Sequence, residues 1–316
     1  MHTEVPTVMP TVKIAVMTHS LSFLQKISLG LLTLLLRGIA ALPQSARLRL
    51  GALLGRLSKR FVGKRRKIMA QNLQTAFPDS TAAWRDEIIN EHFDRLGEDA
   101  LESIWGWYGK TEPPPAHTVT GAEHVEAALA RGQGVILNAG HFTQGEVSVY
   151  LAARRWPVHA VYRPNDNPVI DELINVGRRK HVASLIDREN TRAMVRTLKK
   201  GGIIWTAADQ SFHGKQSAFI PFFGVPCTTN LAIPILARMG NAVVLPYYMR
   251  RSGETYEVII HPPLENLPSG DDVADTARLV TVLEEEIRAQ PGAYLWGHRR
   301  YKNRAPDKAD AAVEPE

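Results

Sequence analysis

His141 lies in the stretch Val135-Ile136-Leu137-Asn138-Ala139-Gly140-His141-Phe142-Thr143-Gln144-Gly145-Glu146. The pattern reads as a buried strand, a tight turn through small residues, and a helix start that carries an acid. A histidine with an acid five positions on can form a base and its orienter: the carboxylate holds one ring nitrogen, and the other takes a proton from a hydroxyl. Five residues along a helix turn through roughly 140°. The two side chains can therefore meet only if His141 precedes the helix, and Ala139-Gly140 allows that. The same residues fit a structural reading. Thr143-Gln144-Gly145-Glu146 has the form of a capping box, in which Glu146 would tie off the helix start. The spacing alone does not choose between catalyst and cap.

Other chemistry gathers at further strand ends. In layered α/β sheets, sites collect at the carboxyl ends of strands. A strand at 157–162 ends in Tyr162-Arg163-Pro164-Asn165, where Arg163 could hold a phosphate or carboxylate, or merely a carbonyl. A strand at 202–207 ends in Ala208-Asp209-Gln210-Ser211, where Asp209 could orient a base, pair with Arg163 or cap a turn. Phe219-Ile220-Pro221-Phe222-Phe223-Gly224-Val225-Pro226 reads as an apolar loop, either a lid over the core or a wall for an acyl chain. Trp296 to Arg304 is basic and aromatic, and places Arg299 and Arg300 where they could meet headgroup phosphates. No P-loop, dinucleotide fingerprint, H-E-x-x-H or G-x-S-x-G motif occurs.

The elements that must position these residues follow from periodicity. From about residue 119 the chain alternates. Helix 122–131 leads to strand 134–138, and a helix follows from about 144 to 154. Strand 157–162 precedes helix 168–181, and helix 190–200 precedes strand 202–207. Helix 228–239 leads to strand 242–250, which pairs with 255–261, and helix 274–289 closes the series. Such alternation predicts an α/β domain, a twisted mixed sheet flanked by helices. Residues 44–110 read as helices, with breaks at Pro78-Asp79 and Pro113-Pro114-Pro115.

The chain has 316 residues, 44% hydrophobic and 22% charged, which is ordinary for a globular core. Its mean hydropathy of −0.17 excludes a polytopic membrane protein. The single Cys227 excludes internal disulfides and a cysteine-based zinc site. Net charge is +6. A basic run at 56–67 suits anionic lipid, an acidic protein or nucleic acid. Before it, residues 21–42 are mostly apolar but include Lys26 and Arg37. If those two snorkel, the segment can just cross a bilayer, which needs about 20 residues. The more basic C-terminal flank would put the body of the protein on the cytoplasmic side. The division expected is a disordered start or misassigned initiation over 1–20, an anchor helix at 21–42, the α/β domain at 43–305 and a disordered tail at 306–316.

Several longer motifs stand in order: RKIMAQNLQTAFP, NAGHFTQGE, VYRPNDNPVID, AADQSFHGKQSAFIPFFGVPCTTN and YLWGHRRYKNR. On these the chain resembles the late Kdo2-lipid A acyltransferases of lipid A biosynthesis, a lysophospholipid acyltransferase-like family, from the apolar N-terminus to about Arg304. The resemblance implies an α/β fold behind a membrane helix. It implies transfer of a fatty acyl chain from acyl carrier protein to a hydroxyl of a 3-hydroxyacyl chain on a lipid A precursor. The family's catalytic pair falls on His141 and Glu146, its motif arginine on Arg163 and its motif aspartate on Asp209. The implied partners are acyl carrier protein, the glycolipid and the membrane, without nucleic acid, and no metal or organic cofactor is required. The implied location is the bacterial inner membrane. Related sequences acylate other glycolipids, so another acceptor, an acyl-CoA donor or a non-enzymatic lipid-binding role stay open.

Overall fold

The computed structural model describes residues 21–110, 113–212 and 214–304. The termini expected to be disordered lie outside the described residues. Helix α1 (Phe23–Ala40) starts at a reciprocal cap, in which the Ser22 and Gln25 side chains each bond the other's backbone N–H. It is 18 residues long, about 27 Å at 1.5 Å per residue, so length and composition permit a crossing. Only 6% of it is buried, and Phe23, Leu24, Leu31 and Leu34 face outward, so it is not a core helix.

Three helices follow: α2 (Gln44–Ser58), α3 (Gly63–Ala76) and the long α4 (Ala82–Tyr108), which starts at a Thr81 cap. Helices α2 and α4 meet along a glycine seam. A Cβ on Gly55 would lie 1.9 Å from the Phe93 carbonyl oxygen, and one on Gly97 would lie 2.0 Å from that of Gly51. Such backbone-to-backbone contact has room for no side chain.

The α/β unit contains β1 (His117–Thr120), α5 (Ala122–Ala130), β2 (Gly134–Ala139), α6 (Gly145–Arg155), β3 (Val158–Tyr162), α7 (Pro168–Arg178), β4 (Ser184–Asp187), α8 (Thr191–Lys199) and β5 (Ile203–Ala207). A hairpin of β6 (Ser217–Phe222) and β7 (Val225–Asn230) follows, then α9 (Ala232–Gly240), β8 (Ala242–Ser252), β9 (Thr255–Ile260) and α10 (Asp272–Ala289). Seven strands form one sheet in the order β1-β9-β8-β2-β5-β3-β4. All neighbours are parallel except β8 and β9, so the sheet is mixed, as expected. Strand β2 lies at its centre and is buried at every position, the mark of a parallel strand covered on both faces. Alternation divides it: Val135, Leu137 and Ala139 pack with α4, α5 and α6, while Ile136 packs with α8, α9 and α10.

Two sequence expectations change, and two strands are not read from the sequence. The apolar run at 219–226 is the β6–β7 hairpin, not a loop. Phe223 and Gly224 both have positive φ, +50° and +77°, the two-residue turn that suits the strand twist. Phe222 and Ile220 point into the core while Phe219 is half exposed, so alternation rather than a wall explains the run. The helix read at 228–239 begins only at Ala232, because 228–230 completes β7. Strands β1 and β4, both at sheet edges, are four residues each and too short to show periodicity.

Candidate active site

Strands β2 and β5 are parallel neighbours, and Ala139 sits opposite Ala207. His141 and Asp209 each come two residues after these partners, so adjacent strand ends deliver them side by side. Gly140 is needed at the turn: a Cβ there would lie 2.6 Å from Leu283 Cδ1 and 2.8 Å from the Phe142 ring. His141 Nδ1 is 2.5 Å from Asp209 Oδ1, and the His141 amide donates to both carboxylate oxygens at 3.2 Å. An ionised carboxylate only accepts, so Nδ1 carries the proton and Nε2 has a lone pair. No hydrogen bond to Nε2 occurs among the described residues. Asp209 is sealed, with its side chain 4% exposed, whereas that of His141 is 32% exposed.

The electrostatics bind the pair together. Burial works against the His141 imidazolium, but the charge and hydrogen bond of Asp209 outweigh it and raise the His141 pKa above its ordinary value. Burial likewise opposes the Asp209 charge. His141 and the hydroxyl of Tyr294 reverse that and hold the carboxyl well below its usual range. Tyr294 itself is pushed far up, by burial first and then by Asp209, so it remains a donor.

The histidine loop is clamped from behind. Thr143 N–H donates to Ala293 O at 2.8 Å and Leu295 N–H to His141 O at 2.9 Å. The Thr143 hydroxyl donates to buried Asp99 at 2.5 Å, and Arg251 donates to the other oxygen of Asp99 at 3.2 Å. Gln144 reaches Met249 O at 2.6 Å.

Glu146 is elsewhere. Its carboxylate receives Arg178 through both Nε and Nη2 and Trp107 Nε1 at 3.2 Å. It forms no hydrogen bond or ion pair with His141. Nor is it a cap: the Thr143 hydroxyl serves Asp99, and the α6 N-cap, Gln144, makes no side-chain cap bond. The His141–Glu146 pairing expected from spacing is therefore replaced by His141–Asp209. The reason is that sheet register sets the partner, while Glu146 is drawn off by an arginine from α7.

The remaining expected residues separate. Arg163 is exposed after β3 and pairs with Asp166 at 3.2 Å, not with Asp209. Arg299 is exposed. Arg300 is 2% exposed, donates to Thr228 O at 3.0 Å and Thr229 Oγ1 at 2.8 Å, and lies 4.7 Å over the Phe222 ring, so it fastens the terminal segment to β7. A substrate phosphate cannot reach it there. Tyr294 was not singled out by sequence; its only signal is its place in the aromatic terminal motif. Beside Asp209 a small open cleft is walled by Ile233, Leu279, Val280 and Leu283. Among the described residues no three His, Cys, Asp or Glu side chains stand together as metal ligands.

The family model for bacterial lipid A biosynthesis acyltransferases matches residues 17–303. The chain belongs to that family. It is an O-acyltransferase of lipid A biosynthesis, acting on lipid A. The Escherichia coli K12 lipid A biosynthesis lauroyltransferase is 34% identical over 291 residues, covering 90% of this chain and 94% of that one. The palmitoleoyltransferase of the same strain is 32% identical, covering 81% and 84%. Its myristoyltransferase is 26% identical, covering 85% of each. Among solved structures, the 1-acyl-sn-glycerophosphate acyltransferase PlsC of Thermotoga maritima aligns over 78% of this chain and 99% of its own, at TM-score 0.38 and 12% identity. The acyltransferase's relatives thus carry names for three different acyl groups.

Proposed function

We propose that this acyltransferase moves a fatty acyl group from acyl carrier protein to the hydroxyl of a 3-hydroxyacyl chain on a lipid A precursor, with His141 as general base and Asp209 as its orienter. The observation that carries the reading is the His141–Asp209 contact of 2.5 Å, with Nε2 open at adjacent strand ends. A secondary hydroxyl is a weak nucleophile near neutral pH, and a positioned base is the remedy. His141 Nε2 takes the hydroxyl proton as the oxygen attacks the thioester carbonyl and the new C–O bond forms. The tetrahedral intermediate then expels the carrier's thiolate, the C–S bond breaks, and the imidazolium returns the proton to sulfur. Asp209 fixes the tautomer and offsets the imidazolium charge. In the first turn of α6 the amides of Gly145 and Ser148 are taken by Phe142 O and Gln144 O, which leaves those of Glu146 and Val147 as the candidate donors to the oxyanion.

Arg163 and Arg299, both exposed, are the candidates to meet anionic groups of the glycolipid. Glu146 acts at one remove, holding Arg178 and so tying the start of α6 to the end of α7. Helix α1 anchors the protein in the inner membrane. The basic flank after it supports a catalytic domain on the cytoplasmic side.

The test uses purified His141→Ala and Asp209→Asn with acyl carrier thioester and lipid A precursor. Both should fold normally and lose acyl transfer by roughly 10²–10⁴-fold. Near-wild-type turnover by well-folded His141→Ala sinks the mechanism. Equal turnover with the acyl-CoA thioester sinks the donor assignment alone.

A further inference from the structure

Between residues 21 and 78 the chain carries eleven Lys and Arg and no acidic residue, against a net +6 for the whole. The positive charge of the protein is thus concentrated in α1 to α3. Part of it sits at the corner where α2 turns into α3. Arg60, Lys64, Arg66 and Lys67 are all exposed there. Among them stand large apolar side chains in water: Leu53 is 52% exposed, Leu54 46%, Leu57 41% and Phe61 86%. The three leucines span an arc of about 100° on α2, turned away from the glycine seam that packs on α4. Monomeric proteins seldom leave such residues together in solvent without a use.

The mix of aliphatic and aromatic side chains with Lys and Arg is the chemistry of a surface that lies in a lipid headgroup layer. The start of α3 fits that chemistry too. Its N-cap, Val62, makes no side-chain cap bond and its first turn has no acid, so amides and cations alike are left there for an anion. An acidic protein would satisfy the cations, yet would leave Phe61 and three leucines without a partner.

We propose that the α2–α3 corner is a second lipid-contacting surface, distinct from α1, in which Leu53, Leu54, Leu57 and Phe61 enter an anionic leaflet and Arg60, Lys64, Arg66 and Lys67 meet its phosphates. The corner is tied to the active site. Arg65 Nη1 donates to Gly297 O at 2.8 Å, and Asn72 Nδ2 donates to Trp296 O at 2.7 Å and to His298 O at 2.6 Å. That loop continues into Leu295, whose amide holds the His141 carbonyl. Seating the corner therefore fixes the height of His141 above the leaflet that holds a lipid acceptor. The inference rests on the membrane association by α1 proposed above, and the measurement separates the two.

The test is Phe61→Cys in the full chain, labelled with a polarity-sensitive fluorophore. Cys227 is buried and 0% exposed, so the dye goes to position 61. Glu265→Cys, exposed on a loop before α10, serves as the control. Vesicles contain phosphatidylethanolamine and phosphatidylglycerol, with or without brominated chains. The expected result is blue-shifted emission at position 61, quenched at least twofold by brominated lipid, with no change at position 265. Protein that sediments with vesicles while position 61 keeps water-like emission overturns the proposal and leaves the α1 anchor standing. Protein that does not sediment at all overturns both. A shift with acyl carrier protein and none with vesicles overturns the lipid surface in favour of carrier docking.

Discussion

Tyr294 Oη donates to Asp209 Oδ2 at 2.9 Å, on the opposite carboxylate oxygen from the one that the His141 ring meets. One buried carboxylate therefore serves three donors, the His141 ring, the His141 amide and the Tyr294 hydroxyl, and of these groups only the imidazole is partly exposed. The tyrosine moderates how strongly Asp209 pulls on the imidazole.

Tyr294→Phe keeps the ring, which packs edge-on against Phe142 and Trp296 at 5.5 and 5.0 Å. It removes one hydrogen bond to a charged group, of the kind worth about 1.5–3 kcal/mol. Asp209 then becomes a stronger acceptor for His141, and the imidazolium gains. The acid limb of the kcat/KM profile should move to higher pH, with kcat down on the order of tenfold. A lower melting temperature with an unmoved limb means that Tyr294 only packs.

The pH profile of the wild type follows from the sign of the His141 shift. As the proposed base His141 works when neutral, and Asp209 raises its pKa. Activity should therefore climb as pH rises through a value above the ordinary histidine pKa of about 6.5. For stability the sign is opposite: a raised folded pKa stabilises at low pH, and that contribution fades as pH rises through it. Asp209→Asn removes the cause and should bring the limb down while cutting the rate. A limb that stays put assigns it to another group.

Glu146→Gln weakens the Arg178 ion pair without touching His141. The pair is partly exposed, at 22% and 27%, so its worth is modest. The melting temperature should fall by about 2–4 °C for each kcal/mol lost. The acid limb should not move. Movement of that limb in titrations of the variant would give Glu146 a direct hand on the imidazole.

The glycine seam makes a contrast within one region. Gly55→Ala pushes a methyl against the Phe93 carbonyl and should destabilise by about 1–3 kcal/mol or more. Gly30→Ala in α1 meets nothing within 4 Å and should be neutral or mildly helix-favouring, by about 0.5–1 kcal/mol. Thermal unfolding of the two variants in the same detergent tests the pair; equal losses would mean that α2 and α4 separate readily.

Much of this was legible in the sequence, and the failures share a cause. The buried run into Gly140-His141 marked a strand end, and Ala208-Asp209 marked another. Which acid serves His141 was not legible, because five-residue spacing is local whereas the contact depends on Ala139 facing Ala207 across two strands. The greasy run at 219–226 hid a hairpin, since Pro221 and Pro226 face each other on a two-stranded ribbon where missing donors are tolerated. Arg300 looked like a headgroup ligand by type, and only tertiary packing shows it spent on β7. Tyr294 gave no signal beyond its place in the terminal motif, because a buried aromatic that fills a core and one that bonds a carboxylate look alike in one dimension.

The clamp on the histidine loop sets an order on biosynthesis. Ala293 O and Leu295 N–H hold Thr143 and His141, yet they leave the ribosome about 150 residues after it. At about 5–20 residues per second, the nascent loop waits roughly 10–30 s for its support. Helix α1 emerges far earlier still. The apolar α1 is thus made well before the histidine loop is braced, and a chain stalled or clipped before Tyr294 carries His141 without the backbone bonds that hold its loop.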